Sequence, residues 1–386
     1  MSRAAHRLAR IAPTIFAEMS ALAAATGAVN LGQGFPDSAG PSSVIERAVA
    51  GLRGTENQYP PGWGRPELRR AVADHQRRHY GLDVDPEKGV VITTGCTEAI
   101  AGALLGLVNP GDPVVVLEPY YDSYLAMISF AGGVRRPVPL RAPDFRLDIE
   151  ALRRAALGAK VLLVNTPHNP TGTVLDAEES QALAEVAVSH DLTVITDEVY
   201  EHLTFDGRRH IPLATLPGMW ERTITLSSVG KSYSFTGWKV GWASGPPDLV
   251  AAVFGAKQWL SYTSGGPLQA AVALALNEET VFPTELATSL QERRDLLVAG
   301  LNDVGLPTRT PEGTYFAMSD VSSLGWPDGR SFCLALPERA GVVAIPAQVF
   351  YDDQAEGRHL VRWAFCKEPG VLDDALDRLG TANLHA

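Results

Sequence analysis

Cysteine is scarce in this sequence, and long apolar runs are missing. The three cysteines, Cys96, Cys333 and Cys366, stand far apart among 386 residues. This spacing offers neither a disulfide framework nor a set of metal ligands, so we expect a reducing cytoplasm and no metal site. No apolar segment approaches the about 20 residues that a membrane-spanning helix needs, so we expect no membrane partner.

An excess of positive charge is also missing. The 33 lysines and arginines are outnumbered by 44 aspartates and glutamates, which gives a net charge of -11 spread along the chain. This balance argues against a nucleic-acid partner and against binding to an anionic membrane surface. With 45% hydrophobic residues, the chain is expected to be globular, with a large core and more than one domain.

The N-terminal segment has two interpretations. Three arginines among its first ten residues are compatible with a targeting peptide. However, Leu8, Ile11 and Ile15 recur at helical spacing, and Glu18 interrupts any signal-peptide core. We therefore predict an amphipathic first helix of the mature fold.

Short β-rich runs alternate with longer helical patterns in the first three quarters of the chain. The runs are continuously apolar, which is typical of parallel strands covered on both faces. We predict an α/β fold with a mostly parallel sheet and helices on each side, followed by a smaller α+β domain. The expected division is an N-terminal segment 1–40 that joins the small domain, a large domain 41–284 and a small C-terminal domain 285–386. The predicted strands are 89–93, 113–117, 161–164, 192–196 and 223–226.

Unusual polar residues follow all five predicted strands. Because the carboxyl ends of parallel strands lie at one edge of a sheet, where ligands of such folds bind, we expect these segments to form one site. The segments are 94–97, 118–121, 165–171, 197–200 and 227–231.

Lys231 lies in the most informative of these segments. Small and hydroxylated residues flank it directly after an apolar strand, and Lys239 follows eight residues later. Burial and a neighbouring cation both lower the pKa of an amine, which a lysine that attacks a carbonyl needs at neutral pH. A second cation of this kind can also hold a phosphate.

The other strand ends supply further candidates, each with a structural alternative. The turn at Cys96 and Thr97 leads from a strand into a helix and suits an anion, but many turns look alike. Asp197 follows a buried strand and needs a cationic partner, unless it serves as a helix cap. Arg362 is a candidate clamp for a carboxylate, or a member of a structural ion pair.

As a set, these segments resemble the fold-type I pyridoxal phosphate (PLP) enzymes of the aspartate aminotransferase superfamily. The likeness covers almost the whole chain and is strongest to the kynurenine aminotransferase, glutamine transaminase K and methionine aminotransferase subgroup. It is carried by residues 30–37, 58–64, 167–172, 197–202 and 228–239.

The resemblance implies roles around the cofactor ring. Lys231 would bind PLP covalently and then move the proton during the reaction. Asp197 would keep the pyridine nitrogen protonated, and Tyr121 would stack on the ring. Asn169 and Tyr200 would bind the phenolic oxygen.

The same resemblance implies a phosphate site and a substrate site. Phosphate would be bound by the backbone of Cys96 and Thr97, by Ser228 and Lys239, and by Tyr59 of a partner subunit in a homodimer. Arg362 and Asn169 would hold the substrate carboxylate near the backbone of Gly34. Phe16 and Tyr262 would contact the substrate side chain.

One segment departs from the family's pattern. Residues 259–267 correspond to a substrate loop of the partner subunit, yet they contain Gly265-Gly266 and no arginine. Dicarboxylate-specific relatives place an arginine there, so the resemblance implies an aminotransferase for neutral L-amino acids, aromatic or sulfur-containing, with a 2-oxo acid acceptor.

Two other functions stay open at this point. A β-elimination or γ-replacement enzyme would use the same cofactor site, and the altered loop keeps this alternative open. A PLP-sensing regulator is disfavoured because no basic helix-turn-helix region is present.

Overall fold

The computed structural model describes residues 14–386, which form thirteen helices and thirteen strands. The helices are α1 (Ile15–Thr26), α2 (Ser42–Arg53), α3 (Pro66–Tyr80), α4 (Gly95–Leu107), α5 (Asp122–Ala131), α6 (Ile149–Ala156), α7 (Ala177–Ser189), α8 (Val229–Ser232), α9 (Pro247–Lys257), α10 (Gly266–Glu278), α11 (Phe282–Asp303), α12 (Gly329–Ala340) and α13 (Pro369–Thr381). The strands are β1 (Val29–Asn30), β2 (Val90–Thr94), β3 (Pro113–Glu118), β4 (Val134–Pro139), β5 (Val161–Asn165), β6 (Thr193–Asp197), β7 (Thr223–Ser228), β8 (Val240–Ser244), β9 (Thr308–Arg309), β10 (Phe316–Asp320), β11 (Val342–Val343), β12 (Ile345–Pro346) and β13 (Leu360–Ala364).

A seven-stranded sheet forms the centre of the larger part of the chain. Its order is β2-β8-β7-β6-β5-β3-β4, and β8 alone runs antiparallel to its neighbours. Strands β5 and β7 are buried along their whole length, as expected for central strands of a sheet that is covered on both faces. The predicted α/β fold with a mostly parallel sheet is confirmed.

A second sheet lies in the C-terminal part and has the order β12-β13-β10-β9, with antiparallel pairing. The N-terminal segment joins this part of the molecule, since β1 pairs in parallel with β11. Helix α1 also packs its buried Met19 into the core cluster of the C-terminal strands. The exact boundaries at 40 and 284 stay a prediction, and α11 spans the second of them.

The predicted amphipathic first helix falls partly outside the described residues, because its arginines and Leu8 precede residue 14. Within the described residues, α1 begins at Ile15, and the side chain of Thr14 caps its amino end. No helix in residues 14–386 combines the length and the apolar character that crossing a membrane requires.

Candidate active site

A cavity of about 340 Å³ opens at the carboxyl edge of the seven-stranded sheet. The ends of β2, β5, β6 and β7 deliver side chains to it, and β13 of the smaller sheet closes one side. Most of the residues predicted from the sequence line this one cavity. They are Phe16, Gly34, Cys96, Thr97, Tyr121, Asn169, Asp197, Tyr200, Ser228, Lys231, Lys239 and Arg362.

Lys231 projects into the cavity from α8, the single helical turn that follows β7. Its Nζ donates a hydrogen bond to the hydroxyl of Tyr315 at 2.7 Å and lies 5.6 Å from the centre of the Tyr200 ring. Burial lowers the pKa of Lys231 to about 8, with smaller contributions from other groups that include Lys239. About one-fifth of this amine is therefore neutral at pH 7.4, far more than for an exposed lysine.

Asp197 ends β6 and is 4% exposed. Its carboxylate accepts hydrogen bonds from the Tyr124 hydroxyl at 2.6 Å, the Val199 amide at 3.3 Å and the Cys96 thiol at 3.5 Å. Burial raises the pKa of Asp197, and these donors only partly offset the shift. None of these donors is a cation, so the carboxylate is placed to receive a protonated nitrogen from a ligand.

An anion site lies at the amino end of α4. Gly95 has a φ of 71°, which brings its backbone within reach of Lys239: a Cβ on Gly95 would lie 3.2 Å from the Lys239 Nζ. Glycine is also required at position 241 of β8, because a Cβ there would lie 2.7 Å from the Cys96 amide nitrogen. The free backbone amides, the helix dipole and the lysine together suit a phosphate.

Arg362 of β13 forms the opposite wall and is 2% exposed. Its two terminal nitrogens donate to the Asn169 side-chain oxygen and to the Gly32 carbonyl, each at 3.0 Å. Burial lowers the pKa of Arg362 to about 10, and its Nε has no partner among the described residues. A buried guanidinium without a carboxylate partner is suited to bind the carboxylate of a ligand.

Two predicted residues, Tyr59 and Tyr262, lie outside this cavity in the single chain. Tyr59 is 84% exposed, and its ring contacts that of Tyr262 at 5.8 Å between centroids. The contributions assigned to them therefore require a second subunit. Gly266, next to Gly265 in the same loop, begins α10, and a Cβ there would lie 2.6 Å from the Glu56 carbonyl. Close packing against this backbone is a structural reason for the glycine.

The hydrogen-bonding roles of several residues of the site were not predicted from the sequence. Tyr124 bonds Asp197, Tyr315 bonds Lys231, and Asn165 fixes the chain before Asn169 by accepting from its amide at 2.7 Å. Tyr124 lies one helical turn beyond Tyr121 on α5, so the pair was a usable signal. Tyr315 carried no such signal, because its partner is 84 residues away in sequence.

The described residues fit PLP at each of its charged or reactive groups. The glycine-lined turn suits the phosphate, Asp197 accepts no hydrogen bond from a cationic side chain among the described residues, and Lys231 lines the same cavity. Arg362 lines the same cavity, where its guanidinium can bind a substrate carboxylate.

Comparisons with known proteins agree with this geometry. The family model described as aminotransferase class I and II matches residues 26–379. The solved structure of N-succinyldiaminopimelate aminotransferase from Mycobacterium tuberculosis is 53% identical, with a TM-score of 0.95 and 98% and 99% of the two chains covered. Methionine aminotransferase of Escherichia coli is 38% identical over 97% of both chains. Kynurenine–oxoglutarate transaminase 3 of Mus musculus is 37% identical over 96% of this chain and 88% of its own.

These matches bear out the resemblance to PLP aminotransferases and to the kynurenine and methionine subgroup. The cofactor is pyridoxal 5′-phosphate, and the substrates are amino acids and 2-oxo acids. With a family match over more than nine tenths of its length, this chain belongs to the class I and II aminotransferases.

Proposed function

We propose that the chain transfers an amino group between an L-amino acid and a 2-oxo acid. The side chain of this amino acid carries no charge on the atoms nearest the reacting carbon. N-succinyldiaminopimelate is the first candidate donor. Free aromatic or sulfur-containing amino acids, the donors predicted from the sequence, are the second. We propose further that the enzyme is a cytoplasmic homodimer in which Tyr59 and Tyr262 of one subunit serve the site of the other.

The charges in the cavity carry this proposal. Its cationic side chains are Lys231, Lys239 and Arg362, and each has a role at the reacting bond, the phosphate or the α-carboxylate. Aromatic rings also flank Arg362: the Phe316 and Phe16 rings lie 3.9 and 5.0 Å from its guanidinium carbon. A second carboxylate close to the reacting carbon would be buried without a cation, which is costly.

In this proposal each side chain has a separate role in the reaction. PLP, when bound, withdraws electrons from the substrate carbon. Asp197 would stabilise the positive charge on the pyridine nitrogen that this electron withdrawal requires, and Tyr121 would stack on the ring. The Lys231 Nζ removes the proton from the substrate carbon and later returns it. The Tyr315 hydroxyl, 2.7 Å away, orients this amine.

N-succinyldiaminopimelate is favoured by the 53% identity to the Mycobacterium tuberculosis enzyme over nearly all of both chains. In this compound, methylene groups separate the reacting carbon from the distal carboxylates. The methylene groups match the aromatic wall, while the distal groups would lie at the open mouth of the cavity. The second candidate is supported by the relatives named for methionine and kynurenine, at 37–38% identity.

The decisive experiment compares kcat/KM for N-succinyldiaminopimelate, methionine, phenylalanine, kynurenine and aspartate, with 2-oxoglutarate as acceptor. We expect the succinylated donor to exceed the others by about tenfold or more, since each 1.4 kcal/mol of added transition-state binding gives a factor of ten. Highest activity with methionine or phenylalanine would select the second candidate. Highest activity with aspartate would contradict both.

The reaction type is checked with the donor alone. A transaminase without an acceptor releases one 2-oxo acid per site and then stops, whereas an elimination or replacement enzyme continues. As a control, Arg362→Gln should raise KM for every donor while leaving the amount of bound cofactor unchanged, because Arg362 faces the substrate and not the phosphate.

A further inference from the structure

Three histidines form a cluster away from the cofactor cavity. His75 and His79 lie one turn apart on α3, and His202 lies in the turn after β6. One ligand atom from each ring falls within 4.8 Å of the other two, and the Nε2 atoms of His75 and His202 are 2.7 Å apart. Three ligands around a Zn²⁺ ion would be about 3.4 Å apart, given Zn–N bonds of about 2.1 Å, so small side-chain shifts suffice.

A metal ion binds an imidazole through a ring nitrogen that carries no proton. The Nδ1 of His75 is buried and has no hydrogen-bond partner among the described residues.

A buried negative charge lies beside the three rings. Glu201 is 4% exposed, and its oxygens accept hydrogen bonds from the Tyr80 hydroxyl at 2.7 Å and the Ser227 hydroxyl at 2.6 Å. Both bonded donors are uncharged, so this carboxylate is left without a bonded cation, and a bound dication would balance it.

We propose that His75, His79 and His202 bind one divalent cation of the Zn²⁺, Co²⁺ or Ni²⁺ class through their ring nitrogens. Imidazole is a preferred ligand of these ions, and a pair of histidines four residues apart on a helix presents two ligands on one face. His79 is exposed, so the ion can enter from solvent and keep a water ligand. The prediction of no metal site rested on the spacing of the cysteines and did not take this pair of histidines on one helix into account.

The site would join two elements near the reaction centre. It would tie α3 to the turn that carries Tyr200 of the cofactor cavity, two residues before His202. Ser227, which bonds Glu201, directly precedes Ser228 of the predicted phosphate site. The ion would therefore stabilise the folded protein without touching the substrate or PLP.

The test uses the PLP-loaded protein without a histidine tag, freed of metal by a chelator and then titrated with Zn²⁺ or Co²⁺. We expect one bound ion per chain after gel filtration and a higher Tm with Zn²⁺. With Co²⁺ we expect visible absorption bands typical of nitrogen ligands at a low coordination number. His79→Ala and His202→Gln should each weaken binding by roughly tenfold or more and remove the Tm increase.

The exposed His79 is chosen because a change at the buried His75 can prevent folding. His385→Ala is the matched control, since His385 is also exposed but lies at the C-terminus and outside the cluster, and it should bind metal as the unmodified protein does. Binding of less than one ion per chain, or equal affinity for His79→Ala and the control, would refute the site.

Discussion

At the scale of single residues, the environment of Lys231 suits its predicted role in attaching the cofactor. An exposed lysine has less than about 1% neutral amine at pH 8, because its pKa is about 10.4. Burial lowers the pKa of Lys231 to about 8, so about half of its amines are neutral at that pH. The neutral form is the nucleophile, so burial accelerates the attack on the PLP aldehyde.

The pH dependence of cofactor attachment follows from this shift. The attachment rate of PLP to the cofactor-free protein should increase with pH up to about 8 and then level off, because the amine is neutral above its lowered pKa. The rate is measured by absorbance, with a free alkylamine titrated in the same buffers to correct for ionisation of PLP itself. A rate that still increases steeply at pH 10, as for the alkylamine, would contradict a lowered pKa.

Single-residue chemistry was predictable from the sequence only where a strand end marked it. Asp197 and Lys231 follow apolar strands, so their proximity followed from the parallel sheet. The uncharged donors to Asp197 were not predictable in this way: the cation expected beside it was the protonated pyridine nitrogen of PLP, and the Tyr124 hydroxyl and the Cys96 thiol were not predicted. Which donors surround a carboxylate depends on side-chain packing, and packing is not encoded in strand spacing.

At the scale of secondary-structure elements, β8 packs against the turn that is predicted to bind the phosphate. It is inserted antiparallel between β2 and β7, and Gly241 of β8 packs directly against the first turn of α4. A Cβ at this position would lie 2.6 Å from the Gly95 carbonyl carbon. The helix start and the strand therefore cannot separate or approach without changing the anion site.

Gly241→Ala tests this packing. The added methyl group should displace the amino end of α4 and weaken PLP binding by roughly tenfold, in line with the 1–3 kcal/mol cost of overpacking. Cofactor affinity is measured by titrating the cofactor-free protein. Gly237→Ala is the matched control in the same segment, since a Cβ there would meet no atom within 4 Å. Equal losses in both variants would contradict the proposed contact.

Strand β8 also illustrates which secondary-structure elements could not be predicted from the sequence. The five apolar runs became β2, β3, β5, β6 and β7 with shifts of one or two residues at their ends. Strands β4 and β8 were not predicted. β4 lies at the sheet edge with two arginines and two prolines, which suits an edge strand but masks its pattern. β8 follows the Lys231 segment so closely that it reads as part of that loop.

At the scale of the whole molecule, the single chain exposes aromatic residues that a monomer rarely leaves in water. Tyr59 and Trp259 are 84% and 83% exposed, and Tyr262 is 48% exposed. Buried Lys257 ties their two loops together, donating to the Gly62 and Tyr262 carbonyls at 2.8 and 2.6 Å. A fixed, exposed aromatic surface of this kind is typical of a subunit interface. From the sequence, Tyr59 could be assigned to a partner subunit only through the family resemblance. The pattern of residues in one chain carries no information about contacts with a second chain.

Mixed dimers test the contribution of Tyr59 across the interface. Lys231→Ala removes the amine from its own site, while Tyr59→Ala is predicted to weaken phosphate binding in the partner's site. In a hybrid of the two variants, the subunit with Tyr59→Ala keeps its own Lys231 and receives an intact Tyr59 from its partner, so one complete site forms per dimer. At limiting PLP, the mixture should therefore exceed the mean activity of the two separate variants after subunit exchange. Activity equal to that mean, in a sample shown by mass spectrometry to contain hybrids, would place Tyr59 outside the partner's site.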